Sequence, residues 1–204
     1  VQTDALPPLD FALLWDKDVR LGQMLQSRGV PVFNAPDAIA DCDDKTLTYL
    51  RLNDRRIPMP RTLLCPQTYP GCEYENDGFI DRYADLLGCP FIIKEGFGSF
   101  GQQVYLAQSA DDARKILRQC GAVPLLFQKF IRESAGRDLR LYMVDGQCVA
   151  AMERVNLSGD FRANIAGGGT AFPCAPTEEE ISLAARACDL LKLTFAGVDL
   201  FRSK

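Results

Sequence analysis

The chain has 204 residues, 47% of them hydrophobic, enough to bury one or two compact cores. A formal net charge of -4 argues against a nucleic-acid-binding surface. No apolar run approaches the roughly 20 residues that span a bilayer, and no signal peptide is read at the start. Histidine is absent, which removes Ser-His-Asp and Cys-His catalysis and histidine-ligated zinc. Any chemistry falls to carboxylates, lysine, arginine, backbone dipoles and a hard metal. The eight cysteines contain no C-x-x-C pair and several sit in apolar segments. They read as reduced, mostly buried thiols of a cytoplasmic protein.

Phe11 to Trp15 reads as a short buried strand, followed by a helical stretch with Val19, Met24 and Leu25 that closes at Gly29. Val30 to Asn34 is a second strand. Strand, helix, strand suits the remnant of an α/β domain with a parallel sheet. One helix is expected from about Asp43 to Arg56, stopped by Ile57-Pro58-Met59-Pro60. Residues 66 to 77 form a loop or hinge. A helix over about 78–87 leads into the strand Phe91-Ile92-Ile93-Lys94, and residues 102–107 form the next strand. Ser109-Ala110-Asp111-Asp112 caps a helix with Ala113, Ile116, Leu117 and Cys120 on one face. Leu125 to Ile131 is a buried strand. Two strands flank Asp145-Gly146, a strong hairpin signal. Thr177-Glu178-Glu179-Glu180 caps a further helix, and Phe195 to Phe201 is the last strand. The second part is therefore α+β with antiparallel pairing.

Gly96-Phe97-Gly98-Ser99-Phe100-Gly101 spells G-x-G-x-x-G. A dinucleotide-binding turn needs a helix after it, and a strand follows here. A kinase needs an H-R-D loop, which a chain without histidine cannot supply. No G-K-[ST] exists for a P-loop. What remains is a glycine flap between antiparallel strands, with Lys94 just before it. Glycine lets backbone N–H groups approach phosphate oxygens, and lysine supplies a point charge.

In order, the chain carries Ile57-Pro58-Met59-Pro60-Arg61-Thr62, Phe91-Ile92-Ile93-Lys94, the flap, Gln128-Lys129-Phe130-Ile131, Gly136-Arg137-Asp138-Leu139-Arg140, Phe161-Arg162-Ala163-Asn164 and Ala196-Gly197-Val198-Asp199. This order and spacing resembles the ATP-grasp superfamily, specifically its RimK-type, glutathione-synthetase-like carboxylate–amine ligases, from about residue 30 onward. The resemblance implies an α+β ATP-grasp fold, two subdomains gripping ATP, after the remnant of an α/β pre-ATP-grasp domain. The expected division is 1–42 for the remnant and 43–204 for the grasp. Within the grasp, about 60–125 would be the small lid subdomain and about 126–204 the larger one.

For the site, the resemblance implies that Lys45 and Lys94 hold the nucleotide, with Gly98, Ser99 and Gly101 of the flap. Gln128, Lys129, Phe130 and Ile131 would line the adenine slot, Glu133 would reach a ribose hydroxyl, and Asp138 would contact the nucleotide. Arg162 and Asn164 would lie at the γ-phosphate, with Arg162 and Arg154 as the catalytic cations. Asp199 would bind Mg2+ or Mn2+. The family reaction activates a carboxylate as an acyl phosphate, which an amine then attacks, so catalysis is mainly positioning and electrostatics. Expected substrates are a small-molecule or peptide carboxylate and amine, with no nucleic acid and no membrane; homo-oligomerisation stays open. The alternative is a non-catalytic ATP-binding regulatory module. Two further metal ligands of the family would follow Asp199 on a next strand, so the chain reads as an excerpt. On its own, it is expected to bind ATP weakly and not turn over. Specificity is expected in residues 66–77 and 155–170, through Glu73, Glu75, Asp77, Asp160 and Arg162. Arg140 reads as a nucleotide-side residue or as the partner of a nearby carboxylate, and Gly167-Gly168-Gly169 as a mobile substrate-side loop or a turn.

Overall fold

The computed structural model describes residues 7–53, 55, 57–72, 74–99 and 101–203. Arg56, Glu73 and Phe100, named above, lie outside these. Strands β1 (Ala12–Leu13) and β2 (Val32–Phe33) pair in parallel across α1 (Val19–Ser27). Asp18 caps α1 by accepting from the Leu21 N–H. The first strand is shorter and more open than expected. Leu14 is buried, but Phe11, Leu13 and Trp15 are exposed.

The helix expected from about Asp43 to Arg56 is α3 (Lys45–Asn53), and a helix that was not expected, α2 (Pro36–Asp43), precedes it. Asp44 breaks them with extended ψ, and its carboxylate accepts from the N–H and hydroxyl of Thr46. Pro36 opens α2 at a first-turn position, where its missing N–H costs nothing.

The first four-stranded sheet has the order β3-β6-β4-β5, from β3 (Thr62–Leu64), β4 (Phe91–Glu95), β5 (Val104–Ala107) and β6 (Leu125–Lys129), all antiparallel. β6 had been placed with the larger subdomain, yet it lies between β3 and β4. Helices α4 (Phe79–Leu87) and α5 (Ala110–Cys120) cover one face of this sheet over Phe91, Ile93 and Phe127. The second sheet, order β10-β7-β8-β9, joins β7 (Arg137–Val144), β8 (Gln147–Asn156), β9 (Gly169–Pro173) and β10 (Phe195–Leu200). Asp145 and Gly146 both take positive φ, which is the type I′ turn that matches strand twist. Helix α6 (Glu178–Leu190) packs on Leu139, Leu141 and Met143.

Thr177 and Glu180 complete a reciprocal capping box at the start of α6. Thr177→Ala is expected to cost about 1 kcal/mol, read as a lowered midpoint in thermal unfolding.

Strand periodicity now decides where charge goes. Phe91 and Ile93 face the helices, so Ile92 and Lys94 face away from them. In the second sheet Leu139 and Leu141 face α6, so Asp138 and Arg140 face away, paired with Arg154 and Asp199 on neighbouring strands. Each sheet thus has one helix-covered face, and its charges lie on the other: Lys94 among apolar Ile92 and Leu126 in the first sheet, and Asp138, Arg140, Arg154 and Asp199 in the second. Buried Asn34 docks the N-terminal unit on β10: its amide donates to the Phe195 carbonyl and accepts from the N–H groups of Thr194 and Phe195.

The cysteines are unbridged; only Cys188 is buried, and Cys72 and Cys89 are exposed, against the expectation of mostly buried thiols. No helix among the described residues is long and apolar enough to cross a membrane.

Candidate active site

The Lys94 ammonium, on β4, donates to Gln128 Oε1 on β6 at 2.8 Å, and Gln128 Nε2 donates to Thr62 Oγ1 on β3 at 2.8 Å. This chain fixes a partly buried cation across three strands. Burial and the Lys45 charge push Lys94 down to about 8, with Asp199 opposing. Lys45, at the start of α3, donates to the carbonyl of Gly98 at 2.8 Å. Its ammonium is shifted down too, by burial and then by Lys17, against Asp43, Asp44 and Glu95. Neither lysine has an ion-pair partner among the described residues.

The flap meets the Lys45 amine through the Gly96 and Gly98 carbonyls. Gly98 and Gly101 take positive φ, and a Cβ on either would collide, with the Gln103 side chain at 2.3 Å and with Asn164 Oδ1 at 2.7 Å. The positive φ is what requires glycine there, since the two side chains could move aside. Gln103 Oε1, beside Gly98, is buried without a hydrogen-bond partner. Arg162 reaches the flap from the other sheet, donating to the Gly101 carbonyl at 3.1 Å. Asp160 grips the same guanidinium at 3.0 and 2.7 Å and is thereby held below the usual carboxylate range. Ser99 Oγ accepts from Lys17 at 2.9 Å. So the structure brings Lys45, Arg162 and Asn164 to the flap residues Gly98, Ser99 and Gly101, with Lys94 on the strand that leads into it.

At the expected adenine slot, the Lys129 N–H donates to the Arg61 carbonyl, and the Lys129 side chain is exposed. The Gln128 side chain is committed to Lys94 and Thr62. Phe130 meets Phe161 edge to face at 6.2 Å. Ile131 begins the turn carrying Glu133, which is exposed.

The second sheet carries a charge network. Arg154 is only 3% exposed. It donates to both Asp138 oxygens, at 2.7 and 2.6 Å, and approaches Asp199 Oδ2 at 3.0 Å. Arg140 grips Asp199 with two bonds, 2.7 and 2.8 Å. Gly197 leaves room for Arg140 to lie across β10. Arg154 is therefore not on a solvated hairpin face. Its hydrogen bonds go to two carboxylates, and Asp138 and Asp199 are held by arginines.

One expectation changes, and one open alternative is decided. Asp77 pairs with Arg114 of α5, on the helix side of the first sheet, which removes it from the site. Gly167-Gly168-Gly169 is a turn leading into β9, and a Cβ on Gly169 would lie 2.2 Å from the Ala163 carbonyl. Lys17 and Gln103 escaped the sequence reading. Neither belongs to a local pattern, and both are recruited by tertiary packing.

Two antiparallel sheets, joined under a glycine flap with cations on their facing sides, form the ATP-grasp fold. The solved ATP-grasp ligase PsnB, in complex with minimal precursor, Mg and ADP, shares this fold with a TM-score of 0.65 at 22% identity, over 91% of this chain and 53% of that one. Within that class, the model of the RimK-like ATP-grasp domain matches residues 42–204, and the chain belongs to that family. The chain is 33% identical to human N-acetylaspartylglutamate synthase A over 188 residues, covering 91% of itself and 46% of that protein. It is 32% identical to a probable alpha-L-glutamate ligase of Psychromonas ingrahamii over 203 residues, 98% of this chain and 65% of that protein. It thus spans about half to two thirds of the length of these relatives.

Proposed function

We propose that the protein is an ATP-dependent carbon–nitrogen ligase of the cytoplasm that joins a carboxylate to an amine on an amino acid or peptide. One observation carries this reading: Lys45 under the flap and Lys94 on the strand leading into it are both desolvated, lie near enough for the Lys45 charge to lower Lys94, and have no carboxylate partner among the described residues. Two such ammonium groups repel, and a polyphosphate relieves that repulsion. The donor set fits ATP. Lys45 donates to neutral carbonyls of the flap, and Arg162, held by Asp160, gives a further N–H to the neutral Gly101 carbonyl; phosphate oxygens outcompete such carbonyl contacts. The flap excludes water from the phosphates, and Arg162 faces the charge that grows during transfer.

Magnesium fits these residues less well. Among the described residues no three histidine, cysteine or carboxylate groups gather as a metal site. Asp199 is the carboxylate on offer, and its oxygens are engaged by Arg140 and Arg154. No step is assigned to a metal here. Asp138 and Arg154 act as positioning groups for Asp199.

The test is ADP release from ATP across a panel of carboxylates and amines. Both relatives carry glutamate in their names, which makes glutamate the first amine to supply. Release that requires one acid and one amine is expected. ATP at about 100 times its Kd should also add ~2.7 kcal/mol of stability. That stabilisation without release on any pair would replace the ligase with the regulatory module.

A further inference from the structure

Three cations from three separate segments hold the glycine flap. Lys45 donates to the Gly98 carbonyl at 2.8 Å, Lys17 to Ser99 Oγ at 2.9 Å, and Arg162 to the Gly101 carbonyl at 3.1 Å. They differ in what else they hold. Lys45 has no carboxylate contact among the described residues, and its partners are neutral carbonyls, so an arriving phosphate can take it. Arg162 keeps Asp160 but has a neutral carbonyl as its flap partner. Lys17 instead is ion-paired with Asp43 at the end of α2, and it holds a side-chain hydroxyl on the flap. Its charge is already matched. It comes from the loop between β1 and α1, outside both sheets, and 82 positions from Ser99 in sequence.

We propose that Lys17 is a positioning residue that latches the glycine flap through Ser99, using Asp43 as its anchor. The role in nucleotide binding rests on the ATP reading above; the latch itself does not. When Lys45 and Arg162 turn to phosphate, the Lys17–Ser99 bond still ties the flap to the N-terminal unit. That unit is docked on β10 through Asn34, so the latch links the flap of one sheet to the edge of the other.

The test compares Lys17→Met, Ser99→Ala and the double variant with the parent protein, using two readouts. The first is deuterium exchange of the amides over residues 96–102 without nucleotide. Each single variant should speed exchange there by about 3- to 10-fold, the range of one ordinary hydrogen bond, and the double should exceed neither. Lys17→Arg, which keeps a donor and the Asp43 pair, should recover part of the protection. The second readout is KM for ATP against kcat. Both single variants should raise KM alike, with kcat changed less. If flap exchange stays at the parent rate in Lys17→Met, the latch is overturned. If Lys17→Met raises KM while Ser99→Ala leaves both readouts unchanged, Lys17 acts on the nucleotide directly and the latch is likewise overturned. If the parent binds no ATP, the exchange measurement still decides the latch while the ligase reading falls.

Discussion

Lys94→Met is expected to weaken ATP binding by about 10- to 100-fold, the range of one charge-assisted hydrogen bond, and to erase its pH dependence near 8. Phosphate oxygens favour the ammonium form and raise its pKa on binding. Since the free group sits at about 8, parent protein should take up protons on binding ATP around that pH. Affinity should then fall as pH rises beyond it, by up to about tenfold per unit. Calorimetry in buffers of different ionisation enthalpy reads both effects. The stability effect has the opposite sign. The folded pKa lies below the unfolded value of 10.5, so the charged lysine weakens the fold. That cost is fully present below about 8 and fades as pH rises toward the unfolded value. Lys94→Met removes it, and the melting temperature should be kept or raised, even though Gln128 loses a partner. Better folding with worse binding is the pattern of a functional charge. A variant that lost stability and affinity together would make Lys94 a structural residue.

The site was legible where chemistry is carried by local patterns. The flap glycines, Lys94 at its strand end and the Asp145-Gly146 turn each have one physical reason to be where they are. Period two then places Asp138 and Arg140 on the face away from Leu139 and Leu141. Short elements without strong caps were missed. Helix α2 has Ala35 at its N-cap with no side-chain bond, and β3 holds only three residues. Pairing across the sheet was also invisible. Arg154 is buried because strands β7 and β10 bring Asp138 and Asp199 to it from 16 and 45 positions away. The sheet that β6 joins was hidden for the same reason: it is apolar enough for either, and its register with Thr62 and Phe91 assigns it.

Arg154→Leu should destabilise the fold strongly. Arg154 is 3% exposed and Asp138 only 11%. Removing the guanidinium strands a carboxylate away from water, a loss of about 3–5 kcal/mol for a broken buried pair. At 2–4 °C per kcal/mol in a domain of this size, the melting temperature should drop by roughly 6–20 °C. Arg154→Lys should rescue little, because one ammonium cannot grip both Asp138 oxygens and still reach Asp199. The double variant Asp138→Leu/Arg154→Leu should be more stable than Arg154→Leu alone, since no buried charge is left and Asp199 keeps Arg140. Thermal melts of the three proteins decide it. A loss under about 1 kcal/mol for the single variant would be the signature of a solvated ion pair. Arg154 would then be free to turn toward the phosphates as a catalytic cation, and its substitution should be read in turnover instead of in melting.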